Sequence, residues 1–188
     1  MSRPPSVVVL AAGGGTRFTG DTHKLAAPIG ATTVLASAVA AAVDSGVGPV
    51  TVVWGAWDPS GALPPTVRLV RNERWVEGQA TSLRVAIDDA ALAGFDVLVV
   101  GLGDQPGVPA EAWRRVASSP GGPIVSASFD GARRPPVRLD REVWPLVPTE
   151  GDAGARSLFG DHPELVTVVD CDGDPADIDT VEDLARWT

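Results

Sequence analysis

The 188 residues carry 15 lysines and arginines against 24 aspartates and glutamates, a formal net charge of −9. Such an acidic chain excludes a nucleic-acid coat and a polybasic membrane anchor, both of which need a positive field, so any anionic ligand has to be held by local cations. A single cysteine leaves no internal disulfide framework and, with two histidines, makes a poor inventory for zinc or iron–sulfur binding, which fits a reducing, cytoplasmic setting.

Residues 1–6 are too short and polar for a signal peptide, and no stretch approaches the roughly 18 apolar residues of a spanning helix, so neither export nor membrane insertion is expected. Val7-Val8-Val9-Leu10 is a continuous apolar run ending in Ala11-Ala12-Gly13-Gly14-Gly15, which predicts a strand buried on both faces that stops at a glycine-rich turn. Apolar residues at 34, 35, 38, 39, 42 and 43 have helical spacing, and Gly46 closes that helix. Val50 to Trp54 and Val67 to Val70 read as strands separated by the proline-rich stretch 59–65, and Leu83, Ile87, Ala90 and Ala91 mark a second helix. Val97 to Leu102 is another apolar run, ended by Gly103-Asp104-Gln105-Pro106, with Pro109 in the first turn of the next helix. Ile124 to Ala127 and Val166 to Val169 read as strands. Thr180-Val181-Glu182-Asp183 reads as a capping box that opens a short terminal helix with Leu184 and Trp187 inward. There is no internal repeat. The alternation predicts an α/β three-layer sandwich on a mostly parallel, Rossmann-like sheet, one domain over 1–188. Ligands are expected beyond the carboxyl ends of the strands, where Gly13 to Gly15 and Asp104 lie.

From Leu10 to Lys24, three glycines after a buried strand let backbone N–H groups approach an anion, while Arg17 and Lys24, the sole lysine, supply charge. The same segment also reads as a tight strand-to-helix turn with two solvated cations. Two familiar nucleotide loops fail on spacing. Phe18 stands where a dinucleotide fingerprint starting at Gly13 needs glycine, and Gly15 to Gly20 is followed by Asp21-Thr22 rather than Lys-Ser/Thr. Asp104 is a strand-end carboxylate of the kind Mg²⁺ takes together with phosphate oxygens and water, or an Asx residue that fixes the turn after it. Asp170, Asp172 and Asp174 make no EF-hand, because Pro175 occupies the position that needs glycine and no glutamate closes the loop. His23 has no serine nucleophile and orienting acid in any motif and reads as a loop residue; His162 and Cys171 read as surface or packing residues.

In order along the chain stand LAAGGGTRF with Lys24 after it, then Asn72, Trp75, Gly78, Ser82 and Leu83, then GLGDQP at 101–106, GDAGAR at 151–156 and DIDT at 177–180. This series resembles the motifs of the MobA-like nucleotidyltransferases, and among them the molybdenum cofactor cytidylyltransferases, from Leu10 to Leu184. The resemblance implies an enzyme that binds CTP with Mg²⁺ and joins CMP to the terminal phosphate of molybdopterin, releasing pyrophosphate. It implies a nucleotide site of Ala11, Ala12, Gly13, Gly14, Gly15 and Gly103, with Asn72 and Ser82 about the base. Lys24 and Arg17 would draw charge off the triphosphate, Asp104 and Asp179, ahead of Asp177, would hold the metal, and Arg134 and Arg156 would meet the acceptor. Trp75 is expected to pack on the core, Thr180 to cap a helix, and Arg156 reads equally as a solvated helix start. The preference for CTP rests on Ala12, where the guanylyltransferase branch tends to have glycine. Two positions depart from the family: Val181 stands where proline is usual, and Arg134-Pro135-Pro136 replaces Gly-His-Pro, adding positive charge beside the expected acceptor pocket. The same resemblance admits GMP transfer to molybdopterin or transfer to another phosphorylated small molecule. A reading of a different class is an accessory protein that carries finished cofactor to a molybdenum-enzyme apoprotein.

Overall fold

Runs of valine and leucine with no polar interruption can only be buried on both faces, and they form the middle of the sheet. The structure, a computed structural model, describes residues 3–187; residues 1, 2 and 188 of the expected domain lie outside them. The strands are β1 (Ser6–Ala11), β2 (Pro28–Ile29), β3 (Thr32–Thr33), β4 (Val50–Trp54), β5 (Arg68–Arg71), β6 (Val97–Leu102), β7 (Ile124–Phe129), β8 (Ala132–Asp140) and β9 (Val166–Asp170). The helices are α1 (Val34–Asp44), α2 (Gln79–Leu92), α3 (Ala110–Ser118), α4 (Arg156–Asp161) and α5 (Val181–Leu184). Seven strands share one sheet in the order β5-β4-β1-β6-β8-β7-β9, and β2 and β3 pair apart from it.

Alternation along β1 divides the interior. Val7 and Val9 point into a layer with Val34, Leu35 and Trp113 of α1 and α3, whereas Val8 and Leu10 point into one with Leu83 and Ile87 of α2. Helices therefore cover both faces of the sheet. Within the seven-stranded sheet pairing is parallel except at β8, which runs antiparallel to both β6 and β7; β2 and β3 also pair antiparallel. The sequence reading did not find β8, whose first half holds Arg133-Arg134-Pro135-Pro136. The ladder accommodates it by a register shift, with Ser126 opposite Val137 and Ala127 opposite Arg134, so the two prolines, which cannot donate, fall in the irregularity. Pro109 is also a correction: it caps α3 from outside rather than opening its first turn.

The chain moves outward from β1 to β4 and β5, then returns to place β6 on the other side of β1. That reversal is a topological switch point, the crevice where open α/β sheets bind ligands. Leu10 lies opposite Leu102 in the β1–β6 register, so the glycine-rich loop and the Asp104 turn leave the sheet side by side. Among the described residues no helix is long and apolar enough to cross a membrane.

Candidate active site

Gly15 has a φ of +60°, and a Cβ there would come within 3.1 Å of Lys24 Cγ, so the loop folds back over the lysine at a position suited to glycine. Lys24 begins a short 3₁₀ turn, Lys24–Ala26, capped by His23, whose Nδ1 accepts the Leu25 N–H at 3.3 Å. With Nδ1 accepting, Nε2 carries the proton and donates to the Gly13 carbonyl at 3.2 Å. The imidazole also stacks on Trp57, with centroids 5.7 Å apart. His23 thus braces the glycine loop against the lysine turn, a role that the sequence reading, which took it for a loop residue, did not find.

Burial is the main influence that holds the His23 pKa below its ordinary 6.5; the Lys24 charge adds to it and the bond to Gly13 opposes it. The unfolded chain therefore takes up a proton before the folded one. Stability present at neutral pH is lost as pH falls through 6.5 toward the lower folded value. His23→Gln is expected to flatten this acid-side decline, measured as the urea midpoint at about pH 7.5 and about pH 5.5. Equal declines in variant and wild type would remove His23 from the account.

Lys24 is 8% exposed. Its Nζ donates to Asp104 Oδ2 at 2.6 Å and to Asp179 Oδ1 at 3.0 Å, while Arg17 Nη2 holds Asp179 Oδ2 at 2.9 Å. Burial is the largest single influence on the lysine and opposes its charge. The charges and hydrogen bonds of Asp104 and Asp179 together outweigh it, and the pKa lies above the ordinary value. The C-terminal segment reaches this place because Ile178, fully buried, donates its N–H to the Asp104 carbonyl at 2.9 Å. Its neighbours diverge: Asp179 meets Lys24, and Asp177 accepts from Gln105 Nε2 at 2.8 Å. Partial burial, then the Asp104 charge, push the Asp177 carboxyl up. Thr180 does cap α5, in a reciprocal pair with Asp183. Ile178→Ala is expected to cost about 2–5 kcal/mol in chemical denaturation, through the lost apolar side chain and the cavity left behind; a loss below about 1 kcal/mol would mean that the segment is held by its polar contacts instead.

A cleft of about 390 Å³ opens beside these groups, with Gly13, Gly14, Lys24, Trp75, Ser82 and Asp104 among its walls. Ala11 and Ala12 also line it, as the resemblance implies. The expected placements of five residues need correction. Gly103 does not face the cleft: its N–H is taken by the Leu10 carbonyl at 2.9 Å, and a Cβ would strike Leu35 Cδ1 at 2.7 Å, so it is a packing glycine. Asn72 is buried behind the wall, where its amide donates to Thr81 Oγ1 and Ser82 Oγ, both at 2.9 Å, and accepts from the Arg74 N–H. It shapes the start of α2 and orients Ser82, which with Thr16 brings a hydroxyl residue to the cleft. Trp75 is half-buried rather than in the core, and its ring rests against Gly14, where a Cβ would come within 3.0 Å. Gly15 and Arg17 also lie outside the cleft wall; Arg17 reaches the site only through Asp179. Arg134 and Arg156 line a second, adjoining cavity. Cys171 is buried, which pushes its thiol up, in keeping with packing.

Two convergent carboxylates already face a cation, the lysine ammonium, and their hard oxygens suit a divalent ion such as Mg²⁺. Among the described residues no group of three or more acidic, histidine or cysteine side chains is placed to hold a metal. A two-carboxylate set matches an ion that takes its other ligands from phosphate and water.

A model of the MobA-like NTP transferase domain matches residues 7–166. Nicotine blue oxidoreductase of Paenarthrobacter nicotinovorans is 31% identical over 95% of this chain and 94% of its own. The crystal structure of Rv0371c from Mycobacterium tuberculosis H37Rv superposes with a TM-score of 0.84 at 29% identity, over 100% of this chain and 98% of that one. A complex of Rv0371c with manganese superposes at 0.74, with 28% identity over the same shares. The 4-diphosphocytidyl-2C-methyl-D-erythritol synthase of Anaerococcus prevotii shares the fold, with a TM-score of 0.75 at 15% identity over 98% of this chain and 96% of that one.

Proposed function

Since the chain belongs to the MobA-like NTP transferase family, we propose that it acts as one catalytic unit which moves CMP from CTP to the terminal phosphate of molybdopterin, with Mg²⁺ and release of pyrophosphate. The observation that carries this reading is the seating of Lys24 between Asp104 and Asp179, beside a glycine loop at the switch point of the sheet. Backbone N–H groups of Ala12 to Gly14 face the triphosphate, with Lys24 balancing its charge and Arg17 steadying Asp179. An oxygen of the acceptor phosphate bonds to the α-phosphorus as the bond from that phosphorus to the bridging oxygen breaks, and the electron pair leaves on pyrophosphate. The attacking group is already an anion, so no general base is needed and the work of the site is positioning. Asp104 and Asp179 would hold the divalent ion, which supplies charge neutralisation at the phosphates when bound. The manganese complex of Rv0371c supports a divalent metal here.

The test is pyrophosphate release from each of the four nucleoside triphosphates with Mg²⁺ and molybdopterin. CTP is expected to lead; a lead by GTP moves the reading to GMP transfer, and release with no triphosphate overturns it. A second reading rests on the nicotine blue oxidoreductase relative, which matches 95% of the chain: the cleft would hold a nucleotide for redox chemistry. Oxidation of a reduced nicotinamide cofactor by a quinonoid dye, with no pyrophosphate formed from CTP, would favour it.

A further inference from the structure

Three charged side chains stand in the wall of the cleft beside the glycine loop, Lys24, Asp104 and Asp152. Lys24 and Asp104 hold each other at 2.6 Å, whereas the Asp152 carboxylate meets no cation and no hydrogen-bond donor among the described residues. Its place follows from the backbone beside it. Gly151 donates its N–H to the Glu77 carbonyl at 3.0 Å and accepts from the Ala80 N–H at 2.9 Å, so this loop is tied to the start of α2. Between those two bonds lies Gly78, with a φ of +106°, where a Cβ would stand 2.4 Å from the Gly151 carbonyl oxygen and 2.8 Å from Asp152 Oδ1. Glycine at 78 is what lets the carboxylate lie against this wall, which Val76, Gln79 and Ser82 continue.

A carboxylate repels a triphosphate, so what lies against Asp152 is a part of the nucleotide that donates hydrogen bonds. Ser82 is its complement: Oγ accepts from Asn72 Nδ2 at 2.9 Å, which leaves the hydroxyl proton for an acceptor in the cleft. This stretch of wall therefore offers a donor and a pure acceptor. Cytosine presents N3 and O2 as acceptors and its 4-amino group as a donor, whereas uracil carries at position 4 a carbonyl oxygen, which a carboxylate repels. We propose that Asp152 is a specificity-determining residue which accepts a hydrogen bond from the 4-amino group of the base, and so admits CTP and rejects UTP. This role of Asp152 rests on the nucleotidyltransferase reading, which puts a nucleoside triphosphate in the cleft. The motif that contains Asp152 is thereby divided between two places, since Arg156 lines the adjoining cavity.

Calorimetric titration of the full chain with CTP and with UTP, in Mg²⁺ and without acceptor, tests this role in the wild type and in Asp152→Asn. The wild type is expected to bind CTP at least about tenfold more tightly than UTP. An amide can turn either its oxygen or its NH₂ group toward position 4, so the variant is expected to bind the two within about threefold of each other. Asp152 is exposed and makes no other bond, so the substitution should leave the fold intact. Loss of a negative charge strengthens every triphosphate alike and loss of a ribose contact weakens both alike, so neither moves the ratio of the two affinities. Wild-type affinities within about twofold of each other, or a ratio that the substitution leaves unchanged, overturns the role of Asp152 while nucleotide binding, and with it the transfer reading, stands. Binding of neither triphosphate by the wild type overturns this role and the CTP reading together.

Discussion

Asp104→Ala is expected to lower pyrophosphate release from CTP by about 100-fold or more, the loss typical of removing a main electrostatic stabiliser from an active site, or about 2.7 kcal/mol of transition-state energy. Asp104 accepts the shortest of the Lys24 bonds and is one of two carboxylates proposed to hold the metal. The two oxygens of Asp179 are engaged by Lys24 and Arg17, and the neighbouring Asp177 carboxylate accepts from Gln105. The change separates an enzyme from a carrier as well: a carrier with this substitution would still deliver preloaded cofactor to its apoenzyme. Turnover at the wild-type rate would remove Asp104 from the chemistry. The variant should fold, since Ile178 is bonded to the backbone carbonyl at 104, not to the side chain.

Lys24→Met is expected to reduce kcat/KM for CTP by about 100-fold while tightening Mn²⁺ binding measured without nucleotide. Both follow from one geometry. The ammonium occupies the space between two carboxylates, so its removal takes a cation from the triphosphate site and leaves Asp104 without its counter-charge and Asp179 with Arg17 alone of its two cations. The methionine retains most of the buried stem, which limits the packing loss. A general folding defect would weaken both properties together, so the opposite signs identify the electrostatic cause. An unchanged kcat/KM would retire the proposed role of Lys24, and weaker Mn²⁺ binding would mean that the two carboxylates do not act as the metal pair.

The central strands were legible because burial on two faces leaves a mark that needs no partner to interpret. β4 and β6 have the limits read from their apolar runs, and the capping box at Thr180 formed from four consecutive residues. Elements whose stability comes from neighbours were not legible. β8 carries two arginines and two prolines in its first half and is a strand because β6 and β7 offer ladders on either side of it. Motif resemblance brought Gly103 and Asn72 into the nucleotide site, but both are held behind its wall, one by a backbone bond to Leu10 and the other by hydroxyls of α2. Trp75 and His23 erred the other way. A tryptophan assigned to the core lies on Gly14 at the cleft, and a histidine assigned to a loop ties two loops together. Arg133 carried no motif at all, yet it lines the same cavity as Arg134 and Arg156.

Local periodicity and short motifs were sufficient for the layered sheet, the glycine loop and the acidic tips, because each depends on residues within a few positions of one another. The meeting of those parts was not contained in any stretch of chain. Lys24 finds Asp104 at a separation of 80 residues and Asp179 at 155, by way of the β1–β6 register and the anchoring of Ile178. Such contacts depend on which strands become neighbours, and that choice is made by the packing of the whole domain.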